Sequence, residues 1–238
     1  QANLDSYYSY MVIEGNTIYV ANNDRIATVD ITDISSSQAV VNQVVPLSND
    51  QGFSVHSSFD VENGKIVYEV YVNSLGTRQI WLLESLEENP ILLASSLNCC
   101  FRPVLVDGNV YRVDSWRYRQ LFSDGEQSSD INYSGGGIDT NRDIVVKDGI
   151  LYGFDSSQSG DVIVRLDLQA GDGIVSQAFD VDISEDINNT RSFGFSPDGN
   201  IVLVNGVIEN NEVITQLNSY LQSIQIKINA GAISGSIT

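Results

Sequence analysis

The chain predicts an all-β fold, a β-propeller of five four-stranded blades, and three observations predict it. Five tight turns carry a glycine between two short apolar strands: Glu14-Gly15-Asn16, Asn63-Gly64-Lys65, Asp107-Gly108-Asn109, Asp148-Gly149-Ile150 and Asp198-Gly199-Asn200. Their glycines fall between 41 and 50 residues apart, the roughly 40–50-residue period of a four-stranded blade. No long segment has helical periodicity. The nearest, 218–226, runs into the strand-like alternation Ile224-Gln225-Ile226-Lys227-Ile228.

Each blade is read from the axis outward. Blade one has strands at 7–13, 17–21, 26–31 and 39–45, and blade two at 53–61, 66–72, 79–83 and 91–94. Blade three has strands at 101–106, 110–113, 118–122 and a weak one at 130–133. Blade four has 143–146, 151–154, 162–168 and 174–181, and blade five 192–196, 201–207, 213–217 and 224–228. These runs are short, rich in Val, Ile and Tyr, and bounded by Gly, Asn, Asp and Ser. Asn-Gly and Asp-Gly tolerate positive φ and mark tight hairpins. The blades together cover 1–46, 53–95, 101–134, 142–181 and 190–229 of one domain spanning 1–238. The tail after 229 is either a linker or an additional closing strand.

Two positions recur. Tyr19, Tyr68, Tyr111, Tyr152 and Leu203 follow the turn glycines by three or four residues and are expected between neighbouring blades. Asp30, Glu84, Asp167 and Asn218 stand near the ends of third strands, each expected to accept from a turn amide.

Phe195-Ser196-Pro197-Asp198-Gly199 resembles the repeat motif of the bacterial TolB-like propellers, and Val162–Leu168, with its aspartate at Asp167, resembles their strand ending. The framework resemblance runs along nearly the whole chain, while the full motif occurs in one repeat. It implies a bacterial propeller that serves as a binding scaffold.

Acidic residues number 31 against 12 basic, a net charge of −19. That surface repels phosphate backbones and anionic headgroups, so neither nucleic acid nor a membrane is the expected partner. No apolar run approaches the roughly 18 residues of a spanning helix. Three lysines among abundant Asn, Ser, Asp and Gln suggest a monomeric protein from outside the cytoplasm, with any leader peptide removed.

If strands run outward from the axis, the outer-to-inner connections share one face with the loops between second and third strands. The residues that open the inner strands there are Tyr7 or Tyr8, His56, Arg102, Arg142 and Arg191. Three arginines and the chain's one histidine thus converge on a channel mouth. The planar guanidinium fork suits carboxylates, so the mouth is read as a site for an anionic group of a carbohydrate or protein partner. The competing reading uses the same arginines, with Asp5, Asp139, Asp143 and Asp186, to tie blades together.

Cys99 and Cys100 form either a vicinal disulfide in a distorted turn or a pair of thiols. The acidic run Asp180, Asp182, Ser184, Asp186 has Glu185 where a calcium loop has Gly, so that pattern fails. No cofactor or metal is expected, and no nucleophile elbow, phosphate loop or dinucleotide fingerprint occurs. Acids on the inner strands are few, chiefly Asp60 and Asp143, and Asp60 is expected toward the face opposite the mouth. The expected function is therefore a non-enzymatic binding module. The alternatives are a carbohydrate-active hydrolase working at the mouth and a structural fragment of a cell-surface protein.

Overall fold

The computed structural model describes residues 10–21, 25–30, 41–46, 51–52, 58–98, 101–156, 162–180, 192–195, 201–204, 208–209, 212–213, 224–229 and 232–237. Among them no residue is helical, and no helix is long and apolar enough to cross a membrane.

Strands follow one another antiparallel in chain order, the meander of a propeller blade. Blade one is β1 (Tyr10–Glu14), β2 (Thr17–Ala21), β3 (Arg25–Asp30) and β4 (Val41–Pro46). Blade two is β5 (Gln51–Gly52), β6 (Phe59–Glu62), β7 (Lys65–Val72), β8 (Thr77–Leu83) and β9 (Ile91–Leu97). Here β6 covers the end of the expected inner strand and β5 precedes that strand; both pair with the same edge of β7, out of register with each other. Blade three is β10 (Phe101–Val106), β11 (Asn109–Asp114), β12 (Arg117–Leu121) and β13 (Ile131–Asn132). Blade four is β14 (Ile144–Lys147), β15 (Ile150–Phe154), β16 (Val162–Leu166) and β17 (Val175–Asp180).

The fifth unit corrects the blade count. Its first two strands, β18 (Ser192–Phe195) and β19 (Ile201–Val204), pair as expected. The remainder pairs separately as β20 (Ile208–Glu209), β21 (Glu212–Val213), β22 (Ile224–Asn229) and β23 (Ala232–Ile237). Four complete blades are therefore described in place of five. The tail supplies β23, which pairs with β22 through a short local turn. Local pairing has a smaller loop-closure cost than reaching back to β19.

Four of the five glycine turns are hairpins with two-residue loops, and Asp198-Gly199-Asn200 lies outside the described residues. Asn63 and Gly64 (φ 52 and 77), Asp107 and Gly108 (48 and 76), and Asp148 and Gly149 (52 and 77) all have positive φ. Two successive positive φ values match the strands' twist, and Asn-Gly or Asp-Gly is the cheapest way to supply them.

Side-chain alternation sends each strand's two faces into two different seams. Tyr19, Ala21 and Ile26 pack with Phe59, Val61, Tyr68 and Val70 between blades one and two. Val67, Ile80 and Leu82 meet Phe101, Leu105 and Val110 between blades two and three. Val104, Tyr111 and Tyr118 meet Ile144, Leu151 and Leu166 between three and four. Phe154 meets Phe193 edge-on at 5.4 Å. Each fully buried large side chain contributes about 1.5–3 kcal/mol, so the seams rather than polar ties hold the blades together. The expected aromatics fall in these seams: Tyr19, Tyr68 and Tyr111 are buried, and Tyr152 stands edge-on to Phe195 at 4.9 Å.

On the hairpin face, acids close the seams. The amides of Asn63 and Gly64 donate to the two carboxylate oxygens of Glu14. Those of Asp107 and Gly108 donate likewise to Glu62, at 2.9 and 2.5 Å. Each carboxylate thereby caps the next blade's turn. Register places Val106 where Glu14 and Glu62 stand in their own strands, and Asp107 instead accepts from Gln169 Nε2 at 2.7 Å. Of the third-strand acids, Asp167 accepts from the amides of Gln169 and Ala170 as expected. Glu84 differs, pairing with Lys65 at 2.5 Å.

Candidate functional site at the loop face

The loops between second and third strands, with the connection from β13 to β14, build the opposite face. Leu75 and Trp116, at the tips of two successive loops, are about 60% exposed (61% and 59%).

The connection through Gly135, Gly136 and Gly137 is locked into blade four. Ser134 N donates to Gly173 O and Val175 N to Ser134 O, both at 2.9 Å. Ile138 N donates to Ser115 O, Asp139 N to Phe154 O, and Gly137 N to the buried Asp155 carboxylate at 3.3 Å. A Cβ on Gly137 would run into Ser156 Oγ and lie 2.8 Å from the Ser115 carbonyl and 3.1 Å from the Trp116 ring. Only bare backbone fits there.

This connection delivers two of the expected site residues. Arg102, on β10, donates from Nε to Thr140 O at 2.9 Å and from Nη2 to Arg142 O at 3.5 Å. Thr140 is buried, and its hydroxyl lies 3.2 Å from that of Ser115. Arg142 lays its guanidinium over the Phe154 ring, 4.2 Å from the centroid, with Asp139 at 3.9 Å. Arg102 and Arg142 thus meet across the seam between blades three and four, and both also serve as ties. Tyr8, His56 and Arg191 lie outside the described residues, as do Cys99 and Cys100. Among the described residues no group of three or more His, Cys, Asp and Glu is placed to hold a metal.

Two further residues join the site. Glu69 sits in β7 within an otherwise apolar, buried stretch and is itself fully buried. Its Oε1 accepts from Arg78 Nη1, and the Arg102 charge acts on it as well. The guanidinium of Arg78, a residue 7% exposed at the loop end of β8, makes no other hydrogen bond to a described residue. Burial pushes the Glu69 carboxyl up to about 7, against the opposing pull of Arg78 and Arg102. Its second oxygen, Oε2, is buried without a hydrogen-bond partner, and so is the hydroxyl of Ser58. Ser58 is the neighbour across the strand edge, since Glu69 N donates to Ser58 O at 2.9 Å.

The signal for Glu69 was in the sequence: one acid inside Ile66-Val67-Tyr68-Glu69-Val70 must have a partner if that run is buried. Arg78 carries no comparable mark, because a basic residue at a loop end is ordinary.

Asp60 lies in the seam between blades two and three, on the same sheet face as Glu69 but toward the hairpin end as expected. Val61 N donates to its Oδ1 and Leu105 N, on blade three, to its Oδ2, both at 2.9 Å. Burial pushes this carboxyl up to about 6, with Glu62 and Glu14 adding to the effect and the two amides opposing it.

No protein-family model matches the chain, and no curated protein is matched by it. Among solved structures it is similar to a luciferin-regenerating enzyme, with a TM-score of 0.55 and 13% identity over 91% of this chain and 75% of that one. It is also similar to a bifunctional GH43-CE protein of Bacteroides eggerthii (TM-score 0.48, 11% identity), covering 96% of this chain and 34% of that one. A third neighbour is the N-terminal domain of Nup159 (TM-score 0.38, 12% identity), covering 74% of this chain and 48% of that one. The first likeness is one of fold and agrees with the blades described above. The chain is a β-propeller.

Proposed function

We propose that the protein is a non-enzymatic binding module whose loop face recognises an anionic group on a carbohydrate or protein partner. The supporting observation is that Arg78 and Arg102, from blades two and three, both act on a single buried acid, Glu69, while Arg142 in the connection to blade four offers its carbonyl to Arg102. In a chain of net charge −19, two guanidiniums act on the one carboxylate of Glu69 and leave a positive excess there. That excess would draw anions and set their orientation through the planar donor fork. Exposed Leu75 and Trp116 beside it offer apolar contact for the rest of a partner. On this reading the protein works outside the cytoplasm as a monomer, and the TolB-like repeat motif fits a scaffold role.

A hydrolase reading has less support. It needs two carboxylates facing one bond, and Asp60 has both oxygens taken by backbone amides.

The test is a glycan array at moderate salt, followed by titration with polygalacturonate as an acidic probe. Arg78→Gln and Arg102→Gln, each made alone, are expected to weaken binding by about tenfold to a hundredfold, each lost charge-assisted contact being worth about 1.5–3 kcal/mol. Unchanged affinity in a variant that still melts cooperatively would assign these arginines to construction alone. Release of sugar on prolonged incubation would favour the hydrolase.

A further inference from the structure

Seven large apolar side chains are exposed among the described residues, and six of them are aliphatic or phenyl. The seventh is Trp116. Tryptophan is on average a highly buried residue, yet this one is 59% exposed and belongs to none of the apolar seams. Its backbone is pinned at two successive carbonyls. Ser115 O accepts from Ile138 N at 3.1 Å, and Trp116 O accepts from Tyr133 N at 2.9 Å. The loop therefore holds the indole out at a fixed place. A rigid ring on a fixed mount has little freedom left to lose on binding.

The surroundings of the ring indicate its occupant. Where Cζ3 comes against the connection at Gly137, the neighbouring atoms are the Ser115 carbonyl and the Ser156 hydroxyl. The Ser115 hydroxyl stands 3.2 Å from that of Thr140, one hydrogen bond of the three it has capacity for. An apolar peptide anchor is recognised in a pocket lined by apolar side chains, and Trp116 shares no such cluster with another described residue. A pyranose ring has different needs. One of its faces presents C–H groups that lie flat on an indole, and its rim carries hydroxyls that exchange hydrogen bonds with polar neighbours.

The cationic groups follow along the same seam. Thr140, whose hydroxyl meets Ser115, accepts Arg102 Nε on its carbonyl at 2.9 Å, and the Arg142 carbonyl accepts Arg102 Nη2 at 3.5 Å. Indole, hydroxyls and guanidiniums thus succeed one another between blades three and four.

We propose that the ligand of the loop face is an acidic saccharide, with a pyranose ring seated on Trp116 and a sugar carboxylate drawn to Arg102. The inference rests on the anion-binding reading above. It narrows the partner to a uronic-acid saccharide and makes Trp116 the residue that separates sugar from peptide.

The experiment uses the whole chain at moderate salt with three probes: a short oligogalacturonate, the neutral galactose oligomer of the same length, and polyglutamate as an acidic peptide. The chain has two tryptophans. The other, Trp81, is half buried and donates from Nε1 to Gln79 Oε1 at 3.1 Å, so quenching by neutral acrylamide reports chiefly on Trp116. Oligogalacturonate is expected to shift the emission to the blue and to protect it from acrylamide. Trp116→Ala is expected to weaken oligogalacturonate binding about threefold to tenfold, the range of an aromatic contact, with a cooperative melt as the check on folding. Trp116→Phe keeps a flat ring and is expected to lose less. Polyglutamate is expected to bind more weakly than oligogalacturonate, with the same affinity in Trp116→Ala. Ile13→Ala removes an equally exposed side chain (58%) from the hairpin face and is expected to bind as the parent does.

Oligogalacturonate that binds equally well in Trp116→Ala, or without protecting the emission, overturns the platform and leaves anion binding standing. Polyglutamate that binds as tightly as the sugar, and loses as much in Trp116→Ala, makes the partner a peptide and overturns the proposal with the same reading intact. Equal affinity for the neutral oligomer, or binding of no probe, overturns the anion-binding reading and the acidic saccharide with it.

Discussion

The two faces of the propeller use carboxylates in opposite ways. On the hairpin face, Glu14 and Glu62 each grip the two turn amides of the following blade, and Asp60 bridges its own strand to Leu105. Both oxygens of each of those acids are engaged by fixed amides. On the loop face, Glu69 keeps an oxygen without a donor, and the guanidiniums around it come from different blades. The same residue type is construction where both oxygens meet fixed amides, and chemistry where one does not. The comparison also explains why the hairpin face repeats while the loop face does not. A turn amide recurs with every blade, whereas the loops differ in length and in what they carry.

The largest expected effect tests whether the loop face is as rigidly built as the hairpin face. In Gly137→Ala the new methyl would meet the Ser115 carbonyl, part of a strand end that cannot yield, at a cost of about 3 kcal/mol from overpacking. Gly108→Ala on the hairpin face has no atom within 4 Å of its methyl. It carries only the strain of φ 76, about 1–2 kcal/mol. Thermal melts of the two variants compare the faces directly. Equal losses would mean that the connection between blades three and four shifts freely to admit the methyl.

Much of the hairpin face was legible in the sequence, because one turn chemistry recurs there. Asn-Gly and Asp-Gly announced the loops, and the strands at 17–21 and 101–106 begin and end where expected. Less was legible where structure depends on pairing between distant segments. A short strand, β5, joins β6 on one edge of β7, and the tail pairs with β22 in a sheet separate from that of β18 and β19. Apolar alternation specifies that a segment is a strand but does not name its partner. In the site, Arg102 and Arg142 were found from their offset to the turn glycines. Arg78 was not, since its relevance comes from Glu69 on the neighbouring strand. The tight passage of Gly137 was equally hidden, because a run of glycines in a loop more commonly signals freedom than confinement.

A second way to sharpen the comparison is acid titration of stability. An unfolded chain releases the Asp60 and Glu69 protons near pH 4, while the folded chain holds them to about 6 and about 7. Between those values the folded state binds more protons, so stability falls as pH rises from about 4 to 7 and levels off above. The loss is on the order of 2 kcal/mol for each group once solvent relaxation is allowed for. Asp60→Asn is expected to remove the part of the slope below about pH 6, and Glu69→Gln the part reaching to 7. Chemical denaturation at several pH values reads both. A stability that climbs with pH across this window would mean that the amides and guanidiniums outweigh burial at these sites.

The smallest effects concern the clasps themselves. Glu62→Gln keeps one acceptor for the amides of Asp107 and Gly108 and turns an NH2 toward the other, costing about 1 kcal/mol. Glu14→Gln is expected to cost the same at Asn63 and Gly64. The two clasps close different seams and share no partner, so the double variant should lose the sum of the single losses to within about 0.5 kcal/mol. A larger loss would show that opening one seam loosens the next, because blade two contributes to both: it receives the grip of Glu14 and extends that of Glu62. The blades would then stand or fall together, and the lapse of the clasp at Val106 would mark the seam at which that coupling is interrupted.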